Sequence, residues 1–245
     1  VFHLNDVTLV KSVKDRNFSI LTNVRCEIQP QKITALIGPS GAGKSSLIRL
    51  LNRLDDPTGG KIYFRDKPLN SYNVLELRRL VGMVFQIPVM FPGTVGENIQ
   101  YAAKFQPRPD KRASKSTREL LAMVGLDSDL EQRPAEQLSV GQQQRVSFAR
   151  TLANNPEVLL LDEPTASLDP TAAAEILQLT KTLQTNLGLT VVLITHILQQ
   201  AKDYSDYTAY LEKGQLVECE PTNELFANPR QISTGNFLAR WGMTR

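Results

Sequence analysis

Apolar and polar residues alternate at the start of the chain. Val7, Leu9 and Val13 are followed, after turn-forming residues from Lys14 to Asn17, by Ile20, Val24 and Ile28. This spacing predicts two antiparallel strands with one buried face. Ile33-Thr34-Ala35-Leu36-Ile37 is a short run of β-formers that stops at Gly38. A glycine-rich turn follows. From Lys44 to Leu54 the apolar residues Leu47, Ile48, Leu50, Leu51 and Leu54 then take helical spacing. A turn at Asp56–Gly60, a strand at Lys61–Phe64, a helix around Leu75–Leu80 and a strand at Val81–Phe85 come next. Between Gly96 and Leu152 there is no continuous β-like run. Gln, Arg, Ala and Leu dominate, Pro107 and Pro109 break the pattern early and Arg133-Pro134 breaks it late, so a helical insertion is predicted. Strands return at Val158–Leu161 and Val191–Ile194, flanking an amphipathic helix at Ala172–Leu187. A last hairpin over Ala209–Val217 turns at Lys213-Gly214. Strands alternating with helices predict an α/β fold with a mostly parallel sheet covered on both faces.

Composition narrows the function classes. With 41% hydrophobic and 22% charged residues in 245, the chain is ordinary for a globular protein and large enough for a sizeable core. A net charge of +3 argues against nucleic acid as a partner, and the densest basic cluster (Lys111, Arg112, Lys115, Arg118) reads as a solvated helix face. The longest apolar runs are strand-length, whereas a spanning helix needs about 20 apolar residues. Any membrane role is therefore expected through a partner. The N-terminus lacks a secretion pattern. Cys26 and Cys219 stand far apart without metal-ligand spacing and read as free thiols in a reducing compartment.

Two stretches carry chemistry. Gly38-Pro39-Ser40-Gly41-Ala42-Gly43-Lys44-Ser45, with Ser46 beside it, matches G-x-x-x-x-G-K-[ST]. Glycines let backbone N–H groups approach phosphate oxygens, and the helix N-terminus adds a positive dipole. Lys44 supplies a mobile charge and the Ser45 hydroxyl can ligate Mg²⁺. A chance match in a chain this long is expected roughly 1% of the time, and the strand–loop–helix context lowers that further. The strand Val158–Leu161 ends in Asp162-Glu163. Ligands in open parallel sheets sit at the carboxyl ends of strands, so Asp162 is expected to hold the metal and Glu163 to polarise an attacking water.

Leu138-Ser139-Val140-Gly141-Gln142 resembles the L-S-G-G-Q signature of ABC ATPases, and Gln143–Arg150 resembles the helix that follows it. Gln86 is similar to that family's Q-loop glutamine, Ser167-Leu168-Asp169 to its D-loop, and His196 to its switch histidine. The resemblance covers essentially the whole chain. It implies one ATPase domain over 1–245, with 1–95 and 153–245 forming the core and β subdomain and 96–152 a helical subdomain. It also implies hydrolysis of Mg-ATP, with Glu163 and His196 catalytic and Ser45, Gln86 and Asp162 around Mg²⁺. Ser139, Val140, Gly141, Gln142 and Asp169 would face the nucleotide of a second copy in a head-to-tail dimer. Transmembrane permease subunits would be the other partners, at the cytoplasmic face of the inner membrane, with Pro88–Thr94 at the contact.

Two departures stand out. Val140 replaces the signature's middle glycine, which alters the loop if positive φ is needed there. The first strand lacks the family's adenine-stacking aromatic, leaving Val13, Lys11 or Phe18 to pack on the base. Leu77–Gln86 and the tail, with His196–Ala201, Ser205–Ala209 and Leu225–Pro229, resemble phosphate-importer ATPases, making phosphate import the expected role. The short Asn52–Gly60 segment, Pro88–Val95 and Val140 resemble plant aluminium-tolerance and bacterial metal-export half-systems, the alternative. A soluble ABC ATPase of DNA repair or translation is the reading from another class. It is disfavoured because the chain has neither a long coiled coil nor a second cassette.

Overall fold

The computed structural model describes residues 1–14, 16–101 and 115–243. They fall into two compact units, Val1–Arg78 with Thr190–Arg245, and Arg79–Leu189.

The first unit holds two sheets. Its N-terminal sheet has the order β2-β1-β4-β5, from β1 (Phe2–Val13), β2 (Arg16–Ile28), β4 (Gly59–Phe64) and β5 (Lys67–Pro68), all antiparallel. Simple alternation fails twice here, for a local reason. Phe2 and Leu4 are buried at even positions, Val7 and Leu9 at odd ones. Asp6, at φ 53°, inserts one extra residue into β1 where the pairing shifts from Leu4–Cys26 to Val7–Val24. Asn23, at φ 49°, does the same in β2 before Leu9 pairs with Leu21. A β-bulge changes which parity faces the core. The buried residues of β2 are therefore Leu21, Val24 and Ile28, and Ile20 is only half-buried.

The unit's second sheet runs β10-β9-β3-β8. The strands β3 (Ile33–Ile37) and β8 (Thr190–Ile194) are parallel and buried along their whole length, as strands covered on both faces should be. β9 (Tyr207–Glu212) pairs parallel with β3, and β10 (Gln215–Pro221) returns antiparallel beside it. The turn joining β9 and β10 places Lys213 at φ 48° and Gly214 at φ 77°, the two positive values a tight hairpin needs. Helix α1 (Lys44–Leu51) follows the glycine turn and buries Leu47, Ile48, Leu50 and Leu51. It stops three residues short of the expected Leu54, because Asn52 leaves helical geometry and Arg53 adopts φ 54°.

The second unit pairs β6 (Val81–Val84) in parallel with β7 (Val158–Asp162). Gly82 lets β6 lie tight on its neighbours, since a Cβ there would fall 2.3 Å from Thr151 Cγ2. The described part of 96–152 contains no strand, only helices and 3₁₀ turns. Its α-helices are α3 (Val95–Ile99), which begins one residue earlier, α4 (Thr117–Met123) and α5 (Val140–Leu152), and α6 (Pro170–Leu187) follows β7. Capping boxes at Thr94, Ser116 and Ser139 start α3, α4 and α5. Pro107, Pro109, Lys111 and Arg112 lie outside the described residues. Arg118 is exposed on α4, while Lys115 precedes that helix and bonds the Asn155 side chain. Among the described residues no helix is long and apolar enough to cross a membrane.

Candidate active site

In the first unit the glycine loop leaves the carboxyl end of β3. Gly38 has φ 147°, and a Cβ there would sit 2.0 Å from the Leu211 carbonyl oxygen. Gly43 caps α1 at φ 103°, where a Cβ would meet Leu21 Cδ2 at 2.8 Å and the Ile20 carbonyl oxygen at 2.9 Å. Both positions need glycine for space as well as for angle. The Gly214 amide donates to the Ala42 carbonyl at 3.1 Å, tying the loop to the β9–β10 turn. Lys44 is buried and folds back over the loop, its Nζ donating to the carbonyls of Gly38 at 2.8 Å and Pro39 at 3.0 Å. Pro39, Ser40 and Ser45 are exposed, Ser46 half-buried.

His196 belongs to the same sheet edge. Leu36 of β3 and Ile194 of β8 are register partners. The glycine loop begins two residues beyond the first, and His196 stands two residues beyond the second. It is exposed, and Thr195 fixes its base. The Ile197 amide donates to Thr195 Oγ1 at 3.1 Å, and the Thr195 amide donates to the Leu36 carbonyl at 3.4 Å.

The second unit repeats this logic with acids. Val84 of β6 is the register partner of Leu161 of β7, so Gln86 and Glu163 stand at one level past the strand ends. Asp162 closes β7. Glu163 adopts φ 47°, an uncommon setting for a side chain of its kind, while its carbonyl accepts from the Ala166 amide at 3.1 Å. Asp169 caps α6, its Oδ1 accepting from the Thr171 and Ala172 amides at 3.0 Å each.

The signature segment opens α5. Ser139 Oγ accepts from the Gln142 amide at 3.2 Å, and Gln142 Oε1 accepts from the Ser139 amide at 3.1 Å. Val140 is the first residue of that helix, with φ outside the positive range, so ordinary helical geometry accommodates it. A Cβ added to Gly141 would touch nothing closer than Ala172 Cβ at 3.8 Å.

Residue types alone left other anchors unseen. Gln144 is buried and donates to the Phe85 carbonyl at 3.2 Å, holding the signature helix to the chain just before Gln86. Asn98 accepts from the Phe91 amide and donates to the carbonyls of Phe91 and Thr94, shaping the loop after Gln86. Arg150 lies over the Phe91 ring at 5.0 Å. Of the candidates for the adenine, Lys11 is engaged by Asp55 at 3.2 Å and Phe18 is 49% exposed. The Val13 side chain lies outside the described residues.

A lysine-bearing glycine loop between a buried parallel strand and a helix, with acids ending a second parallel strand, defines a P-loop nucleotide hydrolase. A family model described as ABC transporter matches residues 21–166. The chain belongs to the ABC transporter family and is an ABC-type ATPase. Protein STAR1 of Oryza sativa subsp. japonica is 42% identical over 217 residues, covering 89% of this chain; the chain spans 62% of that relative's length. The methionine import ATP-binding protein MetN of Xanthomonas oryzae pv. oryzae is 41% identical over 232 residues, 93% of this chain and 69% of its own. Among solved structures, cbiO1 from Clostridium perfringens, part of the ABC transporter complex cbiONQ, matches with a TM-score of 0.83 at 30% identity, over 99% of this chain and 97% of that one. The ATP-binding cassette MJ0796, dimeric in a post-hydrolysis state bound to ADP and Pi, matches with 0.78 at 32% identity, over 91% and 99%.

Neither STAR1 nor MetN is named for phosphate import, the expected role. Leu77–Gln86, which with the tail segments carries the phosphate reading, is the end of α2 (Val74–Leu80) and then β6. Its buried residues Leu77, Val81 and Val84 answer to packing, not to cargo.

Proposed function

We propose that this chain is the ATP-hydrolysing subunit of a transporter whose membrane path is made by separate permease subunits, and that it works as a head-to-tail pair at the cytoplasmic face of the membrane. The observation that carries this reading is the Gly38–Lys44 loop, a tight backbone cradle that a side chain at 38 or 43 would force apart by striking Leu211 or Ile20 and Leu21. Such a cradle fits the outer phosphates of ATP. Lys44, already coordinated by loop carbonyls, exchanges them for phosphate oxygens. Ser45 of the first unit and Gln86 and Asp162 of the second can each ligate through oxygen, the donor type Mg²⁺ selects, and the ion would neutralise charge on the phosphates. Glu163 accepts a proton from the attacking water, and His196 donates to the γ-phosphate. Ser139–Gln142 offer the start of α5 to the nucleotide of the second copy, and Asp169 faces the same nucleotide. Phe18 packs on the adenine. The dimeric MJ0796 cassette with ADP and Pi, and cbiO1 as part of a transporter complex, support the pairing and the separate permease.

The cargo system we favour is the STAR1-type aluminium-tolerance half-system, because the 42% identity joins the short Asn52–Gly60 segment and Val140, which resemble that class. Methionine import is the second reading, favoured by the 41% identity to MetN over 93% of the chain. Restoration of methionine uptake in a strain lacking its own importer ATPase decides for the second.

Glu163→Gln tests the mechanism. Water activation is lost while binding remains, so Mg-ATP should accumulate a dimer on gel filtration and turnover should stop. Monomer elution with unchanged turnover would refute the assignment.

A further inference from the structure

Cys26 on β2 and Cys219 on β10 lie nearly the whole chain apart in sequence, and the fold puts their thiols in hydrogen-bonding contact. Both are free and half-buried. With Arg25, Glu27, Glu220 and Arg230 they line a surface cleft of about 490 Å³, room enough for a small oxidant to reach the sulfurs. The turn leading into β10 also meets β2. The Thr22 amide donates to the Gly214 carbonyl at 2.8 Å, beside the Ile20 and Leu21 contacts that hem in Gly43 of the phosphate loop.

We propose that Cys26 and Cys219 form a reversible oxidative modification site, a dithiol that a peroxide converts into an intramolecular disulfide fastening β2 to β10. Neither residue takes part in the ATPase reading, and the site stands without it.

The contact distinguishes the two sulfurs. The Cys26 S–H donates to Cys219, which raises the Cys26 thiol well above its ordinary value, burial adding to the effect. Accepting that bond lowers Cys219. Cys219 is thus the better nucleophile at neutral pH. Its thiolate attacks one peroxide oxygen and the O–O bond breaks. Hydroxide leaves and takes up a proton as water, and Cys219 becomes a sulfenic acid. Cys26 then gives up its proton and attacks the Cys219 sulfur. The S–O bond breaks, a second water leaves and the disulfide forms. Two thiols are oxidised and one peroxide is reduced to two waters. A thiol donor reverses the change by exchange.

The test uses the whole purified chain, reduced, treated with hydrogen peroxide, then alkylated and digested without reductant. The expected product is a single linked peptide pair joining Cys26 to Cys219, lighter by two hydrogen atoms. It should arise within monomers on a non-reducing gel and be abolished by dithiothreitol. Closing so long a loop should raise Tm by about 5–10 °C. Cys26→Ser should halt at a Cys219 sulfenic acid that a dimedone probe labels, and Cys219→Ser should react more slowly. Peptide mapping of the unmutated chain decides the matter even if a variant fails to fold. Two fully alkylatable cysteines after oxidation, or links only between chains, would overturn the proposal.

Discussion

Lys44 sits in a state that explains how a charged side chain can be buried before any anion arrives. Its ammonium is satisfied by the carbonyls of Gly38 and Pro39, so desolvation is offset locally. Exchanging those neutral acceptors for phosphate oxygens strengthens each bond by charge. Lys44→Ala should therefore weaken Mg-ATP binding roughly 10- to 100-fold, as the loss of a charge-assisted hydrogen bond implies. Titration with a fluorescent ATP analogue measures it, and wild-type affinity would remove Lys44 from the site. Glu163 differs in kind. Its positive φ is a backbone setting held by the turn that follows, and it turns the residue away from the strand direction of β7.

At the scale of elements, one carboxylate clamps strand to helix. Asp55 accepts from Lys11 of β1 at 3.2 Å and from Arg49 of α1 at 2.9 Å. Burial raises its carboxyl, but the bonds from Arg49 and Lys11 outweigh that and leave it below the ordinary value. A lowered folded-state value means stability that is present above the unfolded carboxylate range and lost as pH falls through the folded value. Thermal unfolding from pH 6 down to pH 3 should therefore show a smaller acid-side loss of Tm in Asp55→Asn than in the parent chain. An identical slope would deny the clamp any part. The same elements show what the sequence could reveal. The buried runs of β3, β7 and β8 were legible because strands covered on both faces leave no polar positions to confuse the pattern. The N-terminal hairpin was legible as a hairpin. Ile20 follows the alternation yet is only half-buried, because the bulges at Asp6 and Asn23 depend on backbone angles that alternation does not encode. Gln144 and Asn98 gave no signal, since a buried amide bonding a distant carbonyl is a tertiary event. The adjacency of Cys26 and Cys219 was hidden for the same reason. The glycine loop and the acids at the end of β7 stood out because phosphate chemistry restricts residue types within a few consecutive positions.

At the scale of the molecule, an exposed apolar patch is the surface on which the proposed permease contact can be tested. Ile87 is 68% exposed and Val89 56%, on the loop that Asn98 shapes just past Gln86. Exposed clusters of this kind mark interaction surfaces. The paired substitutions Ile87→Ser and Val89→Ser should leave ATP hydrolysis by the isolated chain unchanged and abolish co-purification with a permease. Retained co-purification would place the docking surface elsewhere. Gly141 offers a cleaner probe of what lies outside the polypeptide. Nothing within its own unit demands a glycine there, and in α5 alanine should stabilise the helix by about 0.5–1 kcal/mol. Gly141→Ala should thus yield a protein that melts higher yet hydrolyses ATP more slowly, measured by calorimetry and phosphate release. A methyl group that the chain itself welcomes can be resented only by a visitor, and this one position would separate the needs of folding from those of company.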